Sequence, residues 1–152
     1  MTQRLMALDT ATIYFRAFHG VPSSVTAPNG TVINAVRGTL DAVATLIEQF
    51  EPDQVVAAWD NSWRPRWRVD LVPDYKAHRV VVGTDNSEDV PDELMPQIPL
   101  VREALSLLGI PVLGHHDQEA DDVLGVVSRM WAGETLVVSG DRDLFQLADD
   151  KA

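Results

Sequence analysis

The chain has 152 residues, 45% of them apolar, which is enough for one domain with a buried core. It contains no cysteine, which excludes disulfides and thiolate metal sites and fits a reducing compartment. Its formal net charge of −11 argues, as a sum, against a nucleic-acid binder. Five of the 12 basic residues (Arg64, Arg66, Arg68, Lys76 and Arg79) nevertheless fall in one short stretch, so the distribution matters more than the total.

Met1-Thr2-Gln3-Arg4 leads into an apolar run too brief for a signal-peptide core or a membrane span, so a soluble, cytoplasmic protein is expected. Leu5-Met6-Ala7-Leu8 shows no alternation and predicts a central strand buried on both faces, ending at Asp9. Residues 10–19 carry Tyr14, Phe15, Arg16 and Phe18, and Pro22 to Gly30 mark a loop. Val32, Ala35, Val36, Leu40, Val43, Leu46 and Ile47 recur at helical spacing, predicting a helix over 31–50 that Pro52 ends. Val55-Val56-Ala57-Ala58-Trp59 predicts a second strand, delivering Asp60.

Residues 61–79 hold two Trp, one Tyr, four Arg and one Lys, too much charge for a core segment. They read as a solvated loop or short helix at the mouth of a site, followed by a mobile stretch over 80–90. A helix is expected over 91–109, irregular in its first half because of Pro96 and Pro99, with Gly109 as its stop. Residues 110–113 predict a short edge strand, given Pro111. Residues 119–131 predict a helix that begins Glu119-Ala120-Asp121-Asp122. Residues 135–139 predict a fourth strand with Gly140-Asp141-Arg142-Asp143 at its tip, and a last helix starts at 144.

The alternation of strands and helices predicts an α/β fold: a mainly parallel, twisted sheet with helices on both faces and right-handed crossovers. Sites in such sheets lie outside the C-terminal ends of the strands. Asp9, Asp60, Asp141 and Asp143 follow strands, and the Glu119 turn stands close behind the third. An acidic first turn alone is what a helix N-terminus favours. The coincidence of all seven carboxylates at one sheet edge carries the functional reading.

Two carboxylates about 4 Å apart repel by about 4 kcal/mol at an effective dielectric of 20. Gathering them therefore requires protonation or bound cations. Without thiols or clustered histidines the ligand set is all oxygen, which selects Mg²⁺ or Mn²⁺ over zinc. Seven acids exceed what one Mg²⁺ needs and point to two ions, able to activate a water and stabilise the leaving oxygen of a phosphodiester. Lys76 and Arg79, three apart, would share a helix face. Trp63, Trp67 and Tyr75 offer flat faces for unpaired bases, although anchoring the segment explains the tryptophans as well. His115 and His116 read as a loop pair.

The motifs together resemble the N-terminal catalytic domain of bacterial 5′→3′ exonucleases and flap endonucleases, including the 5′-nuclease domain of DNA polymerase I, within the wider PIN-like fold. The resemblance rests on Leu8-Asp9, Phe15-Arg16-Ala17-Phe18-His19, Asn34-Ala35-Val36-Arg37-Gly38, Ala58-Trp59-Asp60, Trp67-Arg68, Tyr75-Lys76-Ala77-His78-Arg79, Glu119-Ala120-Asp121-Asp122 and Ser139-Gly140-Asp141-Arg142-Asp143 with the Leu144-Phe145-Gln146-Leu147 that follows.

The resemblance implies that Asp9, Asp60, Glu119, Asp121, Asp122, Asp141 and Asp143 are direct or water-mediated ligands of two divalent cations. It implies that Lys76 and Arg79 contact the scissile phosphate, and that Arg16 and Arg68 hold the DNA backbone, with Tyr75 also on the DNA. Residues 61–90 would form an arch or gateway that admits a 5′ single strand. The implied partner is DNA with 5′ single-stranded ends or flaps, met by a monomer. Thr10 departs from the family's usual Gly, and Trp59 and Trp67 from its usual Phe. The family's second half, with a helix–three-turn–helix and a further metal-binding carboxylate, has no counterpart in 1–152. The expectation is a chain that keeps fold and metal site but binds duplex weakly and cleaves slowly or not at all.

Other readings are an inactive nuclease-like binding module and a PIN-type ribonuclease, which shares the acidic cluster but lacks the Tyr75-to-Arg79 signature. A phosphatase of the haloacid-dehalogenase type would need an Asp where Ala11 stands.

Overall fold

Leu5, Met6, Ala7 and Leu8 are all buried, as a strand with both faces covered must be. They form β1 (Arg4–Asp9), which pairs in parallel with β2 (Gln54–Ala58) on one side. The short β3 (Val112–Leu113) pairs with β2, and β4 (Glu134–Val138) pairs with β1, giving the order β3-β2-β1-β4 with every pair parallel. The expected parallel sheet, with its third strand at an edge, is what forms. The computed structural model describes residues 3–150 and 152. Met1 and Thr2, the start of the N-terminal stretch read above, lie outside the described residues. No helix among the described residues is long and apolar enough to cross a membrane.

Side chains alternate across β1, so Met6 and Leu8 face one layer and Ala7 the other. Met6 and Leu8 meet Ile13 and Tyr14 of α1 (Thr10–Gly20), Ala35 and Val43 of α2 (Asn34–Phe50), and Val101 and Leu105 of α4 (Gln97–Leu107). Between α2 and α4 in the chain lies the short α3 (Arg66–Leu71). On the other face Ala7 and Ala58 meet Ala120 and Leu124 of α5 (Ala120–Met130) and Leu144 of a final 3₁₀ helix (Arg142–Leu147).

A buried polar staple joins three helices on the first face. The Asn34 amide donates to the carbonyls of Phe18 (2.9 Å) and Val21 (2.8 Å) and accepts from Gln97 Nε2 (2.9 Å). Gln97 Oε1 accepts from the Ala35 N–H at 2.8 Å. Both side chains are nearly inaccessible, and their bonds meet the cost of burying amides.

Boundaries differ from the sequence expectation at helix starts. Residues 10–20 form a regular helix because Asp9 caps it, Oδ1 accepting from the Thr12 N–H at 3.3 Å. The helix expected over 31–50 begins at Asn34, since Val32 is bridged to Thr26. The helix expected over 91–109 begins at Gln97, with Pro96 at its cap position. The last element is a 3₁₀ helix capped by Asp141 rather than an α-helix.

Candidate active site

The register of the sheet sets the site. Asp9 pairs with Ala58 and Leu8 with Val138, so Asp9, Asp60 and the turn after Val138 leave the sheet at the same end. There a cavity of about 800 Å³ is lined by Asp9, Asp60, Glu119, Asp121, Asp141 and Asp143, with Lys76 and Arg79 from the intervening segment. Six of the seven carboxylates thus share one cavity. The seventh, Asp122, does not line it.

Four of the six are held by the local fold. Asp9, 4% exposed, accepts from the Ser139 hydroxyl at 2.6 Å and from the Thr12 hydroxyl. Asp60 accepts from the Ala120 N–H at 2.7 Å, at the start of α5. Asp141 accepts from the Asp143 N–H at 2.9 Å, and its own N–H donates to Ser139 Oγ at 3.0 Å. Glu119 is 2% exposed and holds the most partners. It accepts from the Tyr75 hydroxyl at 2.6 Å, from the Arg68 guanidinium and from the Lys76 ammonium.

Asp122 and Arg68 are bound to each other. The guanidinium donates to both Asp122 oxygens, at 2.8 and 3.0 Å, and Asp122 also accepts from the Glu119 N–H at 3.0 Å, closing the first turn of α5. Arg68, expected on the DNA backbone, therefore directs its guanidinium to Glu119 and Asp122. Arg16 is exposed and lines a separate groove with Ala17, Gly38 and Val138.

Burial and mutual repulsion raise two of these acids. Asp121 is pushed up to about 6, chiefly by burial and then by Asp9, Glu119 and Asp141. Burial also raises Asp60, against the opposing Ala120 N–H and Lys76. The Tyr75 hydroxyl is raised by burial and by its bond to Glu119.

The segment over 61–90 differs in detail from the helix-face expectation. Lys76 is not helical; its φ of 50° places it just before a 3₁₀ turn, Ala77–Arg79. Lys76 and Arg79 still reach the same cavity. Arg64, counted among the solvated basic residues, is buried. Both indoles of this segment are tied down: Trp63 donates to the Asn86 carbonyl at 3.1 Å and Trp67 to that of Asp117 at 3.0 Å. Arg68 stacks on the Trp67 ring, 4.6 Å from its centroid.

Two acids that sequence reasoning missed also line the cavity, Glu88 and Asp89. Burial raises Glu88, and its nearest cation is Arg79 at 4.0 Å. Both follow a turn at Gly83 without periodicity; only the antiparallel bridge from Val80 to Glu88 brings them back.

The donor set is all oxygen and suits hard cations. Among the described residues no three acids are arranged to grip one ion as they stand. Glu119 is instead paired with Lys76 and Arg68.

Residues 4–152 match the family described as 5′-3′ exonuclease, N-terminal resolvase-like domain. A 5′-3′ exonuclease of Streptomyces coelicolor is 51% identical over 149 residues, covering 95% of this chain and 49% of that protein. The chain spans about half the length of the curated 5′-3′ exonucleases it matches. Two solved structures share the fold. Bacteriophage T5 5′-exonuclease with bound zinc has a TM-score of 0.63 at 16% identity, over 98% of this chain and 53% of that one. A bacteriophage T5 flap endonuclease in a pseudo-enzyme-product complex with DNA and metal ions has a TM-score of 0.60 at 14% identity, with the same coverage.

Proposed function

Because the chain belongs to the family of 5′-3′ exonuclease N-terminal, resolvase-like domains, we propose that it is the catalytic part of a 5′ nuclease that hydrolyses DNA phosphodiester bonds with divalent cations. One observation carries the reading: six carboxylates from separate stretches and two cations, Lys76 and Arg79, line a single cavity. The relatives' names and the metal-bound T5 structures support the same chemistry.

Asp9, Asp60, Glu119, Asp121, Asp141 and Asp143 would hold two ions, Mg²⁺ or Mn²⁺, with Asp122 acting through Glu119 and Arg68. Such a pair activates a water and stabilises the leaving oxygen of the phosphodiester. The chain's own residues do the rest. Lys76 would turn from Glu119 to the phosphate, and Arg79, half-exposed, would swing from Glu88 to a neighbouring oxygen, both offsetting charge that grows in the transition state. Tyr75 and Arg68 keep Glu119 oriented when Lys76 leaves.

The substrate is DNA with a 5′ single-stranded end or flap, threaded past the segment over 61–90. Arg16 would meet the backbone along its outer groove. The protein would act as a monomer in the cytoplasm.

The test is a cleavage assay on 5′-flap and single-stranded DNA with Mg²⁺ or Mn²⁺. Cleavage should stop in chelator and fall at least about 100-fold in Asp141→Ala, a loss on the scale of removing a charge-stabilising group. Cleavage by the parent that persists in chelator, or in Asp141→Ala, would sink the reading.

A further inference from the structure

Between 61 and 90 only two residues are buried, Arg64 and Pro65. A segment with so little apolar burial takes its shape from polar bonds. Arg64, 9% exposed, is the hub of them. Its Nε donates to the Tyr75 carbonyl at 2.6 Å, its Nη2 to the Pro73 carbonyl at 3.1 Å, and its Nη1 to Asn86 Oδ1 at 3.3 Å. Asn86 returns a bond from Nδ2 to the Arg64 carbonyl at 3.3 Å. No ion pair with a carboxylate is formed by Arg64 among the described residues. A buried guanidinium spent on carbonyls and an amide fixes shape: its planar fork holds several acceptors in one geometry.

The Tyr75 carbonyl belongs to the peptide plane that leads into Lys76. Lys76 has φ 50°, a left-handed conformation that a residue with a Cβ adopts only where its surroundings impose it. Arg64 grips that plane from one side. Lys76 Nζ, bonded to the Trp63 carbonyl at 3.0 Å, closes the loop from the other.

We propose that Arg64 is a positioning residue for Lys76: by clamping the Tyr75 and Pro73 carbonyls to Asn86, it holds the left-handed turn that aims the Lys76 ammonium at the acidic cavity. Its effect on rate rests on the nuclease reading above; its effect on the backbone does not.

The experiment compares the parent chain with Arg64→Ala, Arg64→Lys and Asn86→Ala. Amide hydrogen exchange is followed at Ala77 and Arg79, whose N–H groups bond to the carbonyls of Asp74 (3.1 Å) and Lys76 (3.0 Å). In both Arg64 variants protection at these two amides should fall at least about tenfold while the β1 amides keep theirs, as a local opening requires. Asn86→Ala, at an exposed position, should give a smaller loss at the same two amides. Mn²⁺ affinity should not weaken. Single-turnover cleavage should fall about 100-fold, the scale of a misplaced catalytic group. Added guanidinium should restore part of both losses in Arg64→Ala, and Arg64→Lys should restore neither. Unchanged protection at Ala77 and Arg79, or a loss that spreads to β1, would overturn the proposal. If the parent cleaves no DNA, the nuclease reading falls and the exchange measurement still decides on Arg64.

Discussion

Glu119 gathers an ammonium, a guanidinium and a phenol onto one buried carboxylate. Desolvating a carboxylate this deeply is costly unless its partners are retained. The partners are unequal. Arg68 bridges Glu119 and Asp122, so its loss takes an ion pair from two acids and leaves Asp122 with the Glu119 N–H, whereas losing Lys76 takes one from Glu119 alone. Arg68→Ala should therefore destabilise the metal-free chain by about 3 kcal/mol, a penalty typical of breaking a buried pair from one side. In a thermal melt that is roughly 6–12 °C for a domain of this size. Mn²⁺ should recover much of the loss, because a cation takes over the charge that Arg68 met. A melt unchanged in Arg68→Ala would show that the contact contributes little.

This division of labour was only half visible in the residues. Glu119, Asp121 and Asp122 read alike as ligands in an acidic turn, yet their backbone positions send Asp121 into the cavity and Asp122 back onto the helix N-terminus. Arg64 and Arg68 read as solvated cations because arginine is seldom buried. The burial of Arg64 and the partial burial of Arg68 depend on contacts with residues as distant as Asn86 and Asp122, which no local pattern encodes.

At the scale of elements, the start of α5 places Asp121 where burial and neighbouring acids raise its pKa to about 6, from an ordinary 3.8. Between those values the folded chain binds more protons than the unfolded one. Stability from this group therefore falls as pH rises from about 4 through about 6, and stays lower above it. Asp60 and Glu88, also raised, act in the same direction. In chelator, Asp121→Asn should melt higher than the parent at pH 7 and no higher at pH 4. An Asp121→Asn chain that melts at or below the parent at pH 7 would contradict this. A cation reverses the relation, since it needs the ionised form. Mn²⁺ binding should accordingly tighten about tenfold from pH 5 to pH 7 as one proton is displaced.

The elements that position these groups were the legible part. Strands covered on both faces appear as unbroken apolar runs, so the Asp at the end of each run marks the sheet edge directly, as at Leu8-Asp9 and Trp59-Asp60. The helix over residues 10–20 was less plain, because its start depends on one capping bond from Asp9. Lys76 could not be placed from spacing at all, since its left-handed backbone is imposed from outside the turn.

For the whole molecule, a net charge of −11 sits awkwardly with DNA until the charge is mapped. Eight of the acids line the cavity at one end of the sheet, where cations would neutralise them, and Lys76 and Arg79 of the basic stretch line it too. Those two cations would draw an anionic backbone toward the cavity. The chain spans about half of the exonucleases it matches. On the proposed function these residues would supply the carboxylates for the ions, and those carboxylates would have to close from their present spacing.

The most direct measurement is anomalous diffraction from crystals of this chain grown with Mn²⁺. Two peaks are expected in the cavity about 3.5–4 Å apart, reached by oxygens drawn from Asp9, Asp60, Glu119, Asp121, Asp141 and Asp143, with Lys76 moved off Glu119. Crystals grown in saturating Mn²⁺ that show no peak in this cavity, or show ions bound only elsewhere, would contradict it.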